Sequence, residues 1–295
     1  MLKNVATVLT KMSLIYLELG KWRVTGLMLI TVWVGMTLAT STALPFIPCL
    51  FTLLGIGLLI VSASAMNHLL EYRLDRLMAR TERRPLPLEK ISPTHVLLFS
   101  LTTGFVGLII LSVSSNVLTC LLSFLSLIAY AFIYTLYLKR HTAQNIVIGG
   151  LAGATPPLLG WTAVTGNIDS EGLLLVLIIF IWTPPHFWSL AIARHTDYAK
   201  SNLPMLPITH GIDFTKQQIL LYTVLLSGIS LLPFSIGMSG YFYLIAVFLL
   251  NIGFIVAVID LLKQTKTAHA IKTFHYSNFY LLMLFTCLFM DHSFI

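Results

Sequence analysis

Apolar residues recur along this chain in blocks separated by short polar connections. Each block approaches the roughly 20 residues that a helix needs to cross the hydrocarbon core of a bilayer. The pattern predicts nine transmembrane helices, near 24–43, 47–67, 95–112, 116–136, 144–163, 171–193, 217–236, 240–262 and 276–294. No long linker or low-complexity run interrupts the series, so residues 1–295 read as a single integral membrane domain. The first twenty residues carry Lys3 and Lys11, lack the apolar core of a cleavable signal, and run straight into the first span.

Composition agrees. The 295 residues are 57% hydrophobic and 10% charged, with a mean hydropathy of +0.88. Soluble domains carry roughly a quarter charged residues, and a chain this poor in charge cannot cover its own surface. The fold class is therefore all-α, a polytopic membrane protein.

The placement of charge sharpens this. All 18 Lys and Arg residues fall in the N-terminal segment or in the connections after spans two, four, six and eight; the alternate connections hold none. By the positive-inside rule the N-terminus and the charged connections are expected on the cytoplasmic side, and the C-terminus outside. The net charge of +7 thus describes a one-sided cationic face suited to anionic headgroups or an anionic substrate, not nucleic acid. Cys49, Cys120 and Cys287 lie in or beside spans without paired spacing, which implies neither disulfide nor metal.

The densest chemistry follows span two, in NHLLEYRLDRLMARTERRPLP at 67–87. Asn67, Glu71 and Asp75 are spaced four apart, so a helix continued past Asn67 puts all three on one face. Two carboxylates and an amide oxygen are hard ligands of the kind Mg2+ prefers, usually completed by water and substrate phosphates. Arg73, Arg76, Arg80, Arg83 and Arg84 add forks that match phosphate oxygens. Alone, the stretch also reads as an ordinary juxtamembrane loop that fixes topology. A second stretch, ARHTDYAKSNLPMLP after span six, places Arg194, Asp197 and Lys200 at the same level, where Asp197 is a third carboxylate. A third, YTLYLKR, ends span four with Tyr134, Lys139 and Arg140; the two cations are candidate diphosphate contacts.

Two spans carry Pro-Pro, at 156–157 and 184–185. Proline removes a backbone donor and bends a helix, and the freed carbonyls need protein or a cavity to satisfy them at membrane depth. Gly149, Gly150, Gly153 and Gly160 around the first pair permit close helix approach. His186 follows the second pair, about 12 Å inside the boundary marked by Arg194. With Trp182, Phe187 and Trp188 beside it, His186 is a candidate to line a pocket for a large flat ligand, or to ligate its metal. A neutral histidine bonded to another helix fits equally.

These residues carry a resemblance. The run from Asn67 to Leu86, N-x-x-x-E-x-x-x-D-x-x-M-x-R-T-x-x-R-P-L, resembles the signature of the protohaem IX farnesyltransferase (haem O synthase) family, a branch of the UbiA superfamily of intramembrane prenyltransferases. YTLYLKR at 134–140, NIVIGGLAGATPPLLGWTAVTG at 145–166, WTPPHFWSLAIAR at 182–194 and DYAKSNLPMLP at 197–207 extend it. The acidic motif marks the superfamily, while Met-x-Arg-Thr and Trp-x-x-Pro-His mark the haem branch. Two positions depart: Glu71 stands where many members have Asp, and Gly20-Lys21-Trp22-Arg23 replaces the usual Thr-Lys-Pro-Arg.

The resemblance implies a helical bundle around a central cavity, and farnesyl transfer from farnesyl diphosphate to a vinyl group of haem B with addition of water, giving haem O. It implies Mg2+ held by Asn67, Glu71, Asp75 and Asp197, which together form the catalytic set. Arg80, Arg84, Lys139, Arg140 and Arg194 would bind the diphosphate, and His186, Trp182 and Tyr134 would line the haem pocket. The expected setting is a bacterial inner membrane, in contact with lipid and beside a haem A synthase or terminal oxidase assembly. Two alternatives remain at this point: a UbiA-type transferase acting on an aromatic acid or quinone precursor, and a transporter that uses the same acids as a cation site. A purely structural or assembly role leaves the charge stripe unexplained.

Overall fold

A computed structural model describes residues 12–79, 81–200, 203–264 and 267–293. Lys3, Lys11, Arg80 and Lys266, and the last residue of the ninth predicted span, lie outside these residues. Among the described residues the regular structure is helical throughout. A helical segment over 12–19 leads into α1 (Trp22–Leu38). There follow α2 (Phe46–Asp75), α3 (Pro93–Ser114), α4 (Val117–His141), α5 (Asn145–Thr165), α6 (Ser170–Ala193), α7 (Ile212–Ser235), α8 (Tyr241–Lys263) and α9 (Thr267–His292).

Seven of these, α2 to α8, are long and apolar enough to cross a membrane. The other two of the nine predicted spans are helical but fall outside that class. α1 has 17 residues. α9 is long, yet His275, Ser277, Asn278, Thr286 and Asp291 dilute its apolarity. Two of these polar residues serve packing. Ser277 meets side chains of α6, and the Asp291 carboxylate accepts from the backbone N–H groups of Gly240 and Tyr243 at the start of α8. That capping satisfies donors a helix start otherwise leaves open.

Large apolar side chains point outward along the bundle, among them Phe105 (66% exposed), Val113 (84%) and Val117 (85%). A surface of this kind suits lipid, not water. Inside, α6 is the most buried of the seven spans. It packs against α5, α7 and α9, while α2 pairs with α3, α1 with the second half of α5, and α8 with α9. α9 also reaches α1, so the first and last long helices meet.

The two Pro-Pro pairs act differently. Pro156-Pro157 splits α5 into Asn145–Ala154 and Pro156–Thr165. Pro184-Pro185 stays inside a continuous α6, where the Thr183 and Ser189 hydroxyls donate to the carbonyls of Ile179 and Pro185. The crossing of α1 and α5 is close: a Cβ on Gly35 would sit 2.1 Å from the Pro157 carbonyl oxygen, and one on Gly160 would sit 2.0 Å from that of Val32. Only glycine permits two backbones to approach so nearly.

A cationic ladder on a buried oxygen stripe

α2 is 30 residues long, about 45 Å of helix at 1.5 Å per residue, half as long again as the hydrocarbon core. Its last turns therefore carry the stripe beyond the apolar span without breaking the helix. The expected shared face follows: Asn67, Glu71 and Asp75 are all buried, at 3%, 4% and 1% exposure.

Each rung of the stripe meets one cation from a different segment. Lys21 Nζ donates to Asn67 Oδ1 at 2.9 Å, from the segment before α1. Lys139 Nζ donates to Glu71 Oε1 at 2.5 Å, from the end of α4. Arg84 Nη1 donates to Asp75 Oδ2 at 2.8 Å, from the connection after α2. Buried carboxylates need such partners, since an uncompensated charge is costly away from water.

The local folds explain how the cations arrive. Residues 129–138 of α4 form a π-helix, a form often found at functional sites. In it the Thr135 hydroxyl donates to the Tyr130 carbonyl and accepts from Asn67 Nδ2 at 3.1 Å, which fixes the amide with its oxygen toward Lys21. After α2 the chain turns back. Thr81, fully buried, donates its hydroxyl to the Asp75 carbonyl, and Arg84 N–H donates to the Thr81 carbonyl. The D-x-x-M-x-R-T-x-x-R spacing is thus the length of a turn that returns Arg84 to Asp75, with Met78 buried beneath it.

The other expected site residues are placed as follows. Arg140 is exposed and donates to the Leu70 carbonyl at 3.4 Å, beside Glu71. Arg194 is exposed at the end of α6, and Asp197 is half-buried on the short helix His195–Lys200. Among the described residues no group of three His, Cys, Asp or Glu comes together around a metal-sized point, so Asp197 is not gathered with Glu71 and Asp75. The donor set still suits a hard divalent ion. It comprises three oxygen-bearing side chains on one stripe, and Asp75 Oδ1 is buried with no hydrogen-bond partner among the described residues.

His186 sits in an aromatic stack. Its ring lies 4.2 Å from Trp182 and 4.6 Å from Phe274, with Phe187 edge-on at 4.8 Å. His186 Nδ1 is 2.8 Å from Ser277 Oγ, and Trp182 Nε1 donates to the Ser277 carbonyl at 2.7 Å. Tyr134 reaches α5 from the α4 side, where Gly149 leaves room for its ring: a Cβ there would lie 2.1 Å from it. Thr183, next to Trp182, meets α5 at Gly150 from the α6 side. The three expected haem-pocket residues are thus divided between two helices that flank α5.

Two open cavities, of about 180 and 450 Å³, lie at the opposite end, around Cys49 and Ser114, and neither touches the stripe. Cys49 is buried and Cys120 and Cys287 are half-buried, all three as free thiols.

Sequence reasoning left out Lys21, Tyr130 and Thr135. Lys21 carried a signal, its place in the Gly20-Lys21-Trp22-Arg23 variant of a family motif, but it served there only as a topology anchor. Tyr130 and Thr135 carried none, because a π-helix changes which residues share a face.

Comparison with known proteins accords with this geometry. Residues 28–284 match the model of the UbiA prenyltransferase family. Protoheme IX farnesyltransferase 1 of Shewanella sp. (strain ANA-3) is 54% identical over 94% of this chain and 92% of its own length. Protoheme IX farnesyltransferase of Legionella pneumophila (strain Paris) is 54% identical over 95% of both chains. Among solved structures, digeranylgeranylglyceryl phosphate synthase superposes with a TM-score of 0.79 at 20% identity, covering 95% of this chain and 98% of that one. A UbiA homologue from Archaeoglobus fulgidus bound to GPP and Mg2+ does so at 0.60 and 13% identity, over 93% and 99%. The structural likenesses speak to the fold, and the sequence relatives to the branch. The chain belongs to the UbiA prenyltransferase family, in the branch of its protoheme IX farnesyltransferase relatives.

Proposed function

We propose that this chain, acting as one intramembrane domain, transfers the farnesyl group of farnesyl diphosphate to a vinyl group of haem B, with addition of water, to give haem O for terminal haem-copper oxidases. The observation that carries the reading is the buried stripe Asn67–Glu71–Asp75 with a cation on every rung, on a chain 54% identical to proteins of that name. The setting we propose is a bacterial inner membrane, with the cationic end cytoplasmic and the C-terminus outside.

Asn67, Glu71 and Asp75, with Asp197 brought in from its half-exposed helix, are the residues that would hold Mg2+. Bound there, the ion neutralises diphosphate charge and polarises its oxygens. Arg84 and Lys139, and from the rim Arg80, Arg140 and Arg194, stabilise the charge that gathers on the departing diphosphate. The C–O bond of the farnesyl group breaks with its electron pair leaving on the diphosphate. The allylic carbon then bonds to the haem vinyl group, and water captures the resulting cation and releases a proton. Apolar side chains of α5 and α6 keep water from the allylic cation before that bond forms. Trp182, His186 and Tyr134 line the porphyrin side, which requires the stack of Trp182, His186 and Phe274 to open.

Incubation of the purified protein with haem B, farnesyl diphosphate and Mg2+, followed by mass analysis of the extracted haems, tests the reading. The expected product is farnesylated, hydrated haem. A prenylated phenol formed from an aromatic acid, with haem B unchanged, would replace it.

A further inference from the structure

Lys21 occupies a place its surroundings do not require. Its neighbours Trp22 and Arg23 are exposed, and a lysine beside a membrane normally extends its ammonium to water. Lys21 instead turns inward, half-buried, to Asn67 Oδ1 at 2.9 Å and the Tyr130 hydroxyl at 3.4 Å. Its backbone is left-handed, φ 47° and ψ 48°, a region that residues with a Cβ seldom adopt. Among the described residues only Glu89 shares that property without being glycine.

The fold holds this conformation from both sides. Lys21 N–H donates to the Glu18 carbonyl, the Val24 and Thr25 N–H groups donate to the Lys21 carbonyl, and the Thr25 hydroxyl donates to the Gly20 carbonyl. Leu19, fully buried, anchors the segment against Ala65 and Leu86, which flank the stripe in sequence. Strain retained by so many contacts is characteristic of functional positions.

Charge indicates what the position is for. The ladder sets three cations, Lys21, Lys139 and Arg84, against two carboxylates, Glu71 and Asp75. The set therefore carries a positive surplus before any ion binds, which favours a polyanion such as a diphosphate. Lys139 and Arg84 are each hydrogen-bonded to a carboxylate, whereas Lys21 donates to the Asn67 amide oxygen and the Tyr130 hydroxyl, with the Glu71 charge near enough to act on it.

We propose that Lys21 is a diphosphate-binding residue, supplied by the segment before α1, whose ammonium moves from Asn67 to a phosphate oxygen when substrate binds. This rests on the prenyl-diphosphate reading above. The exchange would leave Asn67 Oδ1 able to face a bound metal ion, and it makes the start of α1 part of the site.

The left-handed backbone supplies a clean test. Lys21→Gly removes the ammonium and favours the same φ, a gain that offsets the hydrogen bond lost to the buried Asn67 Oδ1, so its melting temperature should stay close to that of the unsubstituted protein. Binding of inorganic pyrophosphate and of farnesyl diphosphate, measured by calorimetry in detergent with Mg2+ and without haem, should weaken by about tenfold to a hundredfold, the loss of one charge-assisted hydrogen bond. Lys21→Arg should bind within a few-fold of the unsubstituted protein. Unchanged binding by Lys21→Gly overturns the proposal. So does equal weakening in both variants with lowered melting temperatures, which would mark a structural role. If the unsubstituted protein binds neither probe, the prenyl-diphosphate reading fails first and takes this inference with it.

Discussion

The two carboxylates of the stripe answer to different demands. Glu71 and Lys139 form a pair with 5% and 13% of their side chains exposed. Glu71→Ala leaves a largely buried ammonium without its carboxylate and should cost about 3 kcal/mol in detergent unfolding. Lys139→Met combined with it should recover most of that loss, since a buried pair replaced whole by apolar groups is close to neutral. Additive losses in the double variant would show that the pair does not couple. Thr135→Val tests the support of Asn67. It removes an acceptor from a buried amide, which should cost about 1 kcal/mol and lower transfer several-fold. The Glu71 side chain reaches Lys139 directly. Individual residues were legible where a type and a spacing recur together, as in Asn67, Glu71 and Asp75. Lys21 and Thr135 were not, because their roles depend on a left-handed residue and a π-helix that no local spacing announces.

Among the elements, α2 and its returning turn build most of the site, while the α1–α5 crossing fixes the frame around it. That crossing depends on glycine. Gly160→Ala places a methyl group against the Val32 carbonyl, and should lower stability by at least about 2 kcal/mol. Gly153→Ala, where nothing lies within 4 Å of the added carbon, should be silent or slightly stabilising. A thermal shift in detergent compares the two, and equal melting temperatures would contradict the close approach. The Pro-Pro pairs read identically in sequence, yet one splits α5 and the other is absorbed within α6. The difference lies in the neighbours. Thr183 and Ser189 each bond the carbonyl four residues back, before and after Pro184-Pro185, whereas Thr155 before the first pair bonds the Ala152 carbonyl, three residues back, where the helix breaks.

For the molecule as a whole, the apolar blocks gave the helical architecture and nearly all helix positions. The polar face of α9 could not be valued from sequence, because Ser277 and Asp291 count against a membrane span until their partners are known. The contacts also gather the Lys- and Arg-bearing connections at one end, where Lys21, Arg84 and Lys139 meet α2. Thr40, Asp291 and His292 mark the other end. If that cationic end is cytoplasmic, single cysteines introduced at Lys272 and Asn167 in a cysteine-free chain should react with an impermeant maleimide from opposite sides of inner-membrane vesicles. Reaction from one side only would refute the orientation. Activity should also vanish on chelation of divalent ions and return with Mg2+.

The account depends most on Asp75, the rung with an unpartnered buried oxygen and the carboxylate that Arg84 is folded back to meet. The decisive measurement is therefore farnesyl transfer to haem B by Asp75→Asn beside the unsubstituted protein, with both shown to be inserted and equally monodisperse. The substitution preserves size and removes the charge. The account predicts a loss of product of at least about a hundredfold, 2.7 kcal/mol or more in barrier. Transfer within a few-fold of the unsubstituted protein would contradict it and return the stripe to the role of a topology-fixing loop.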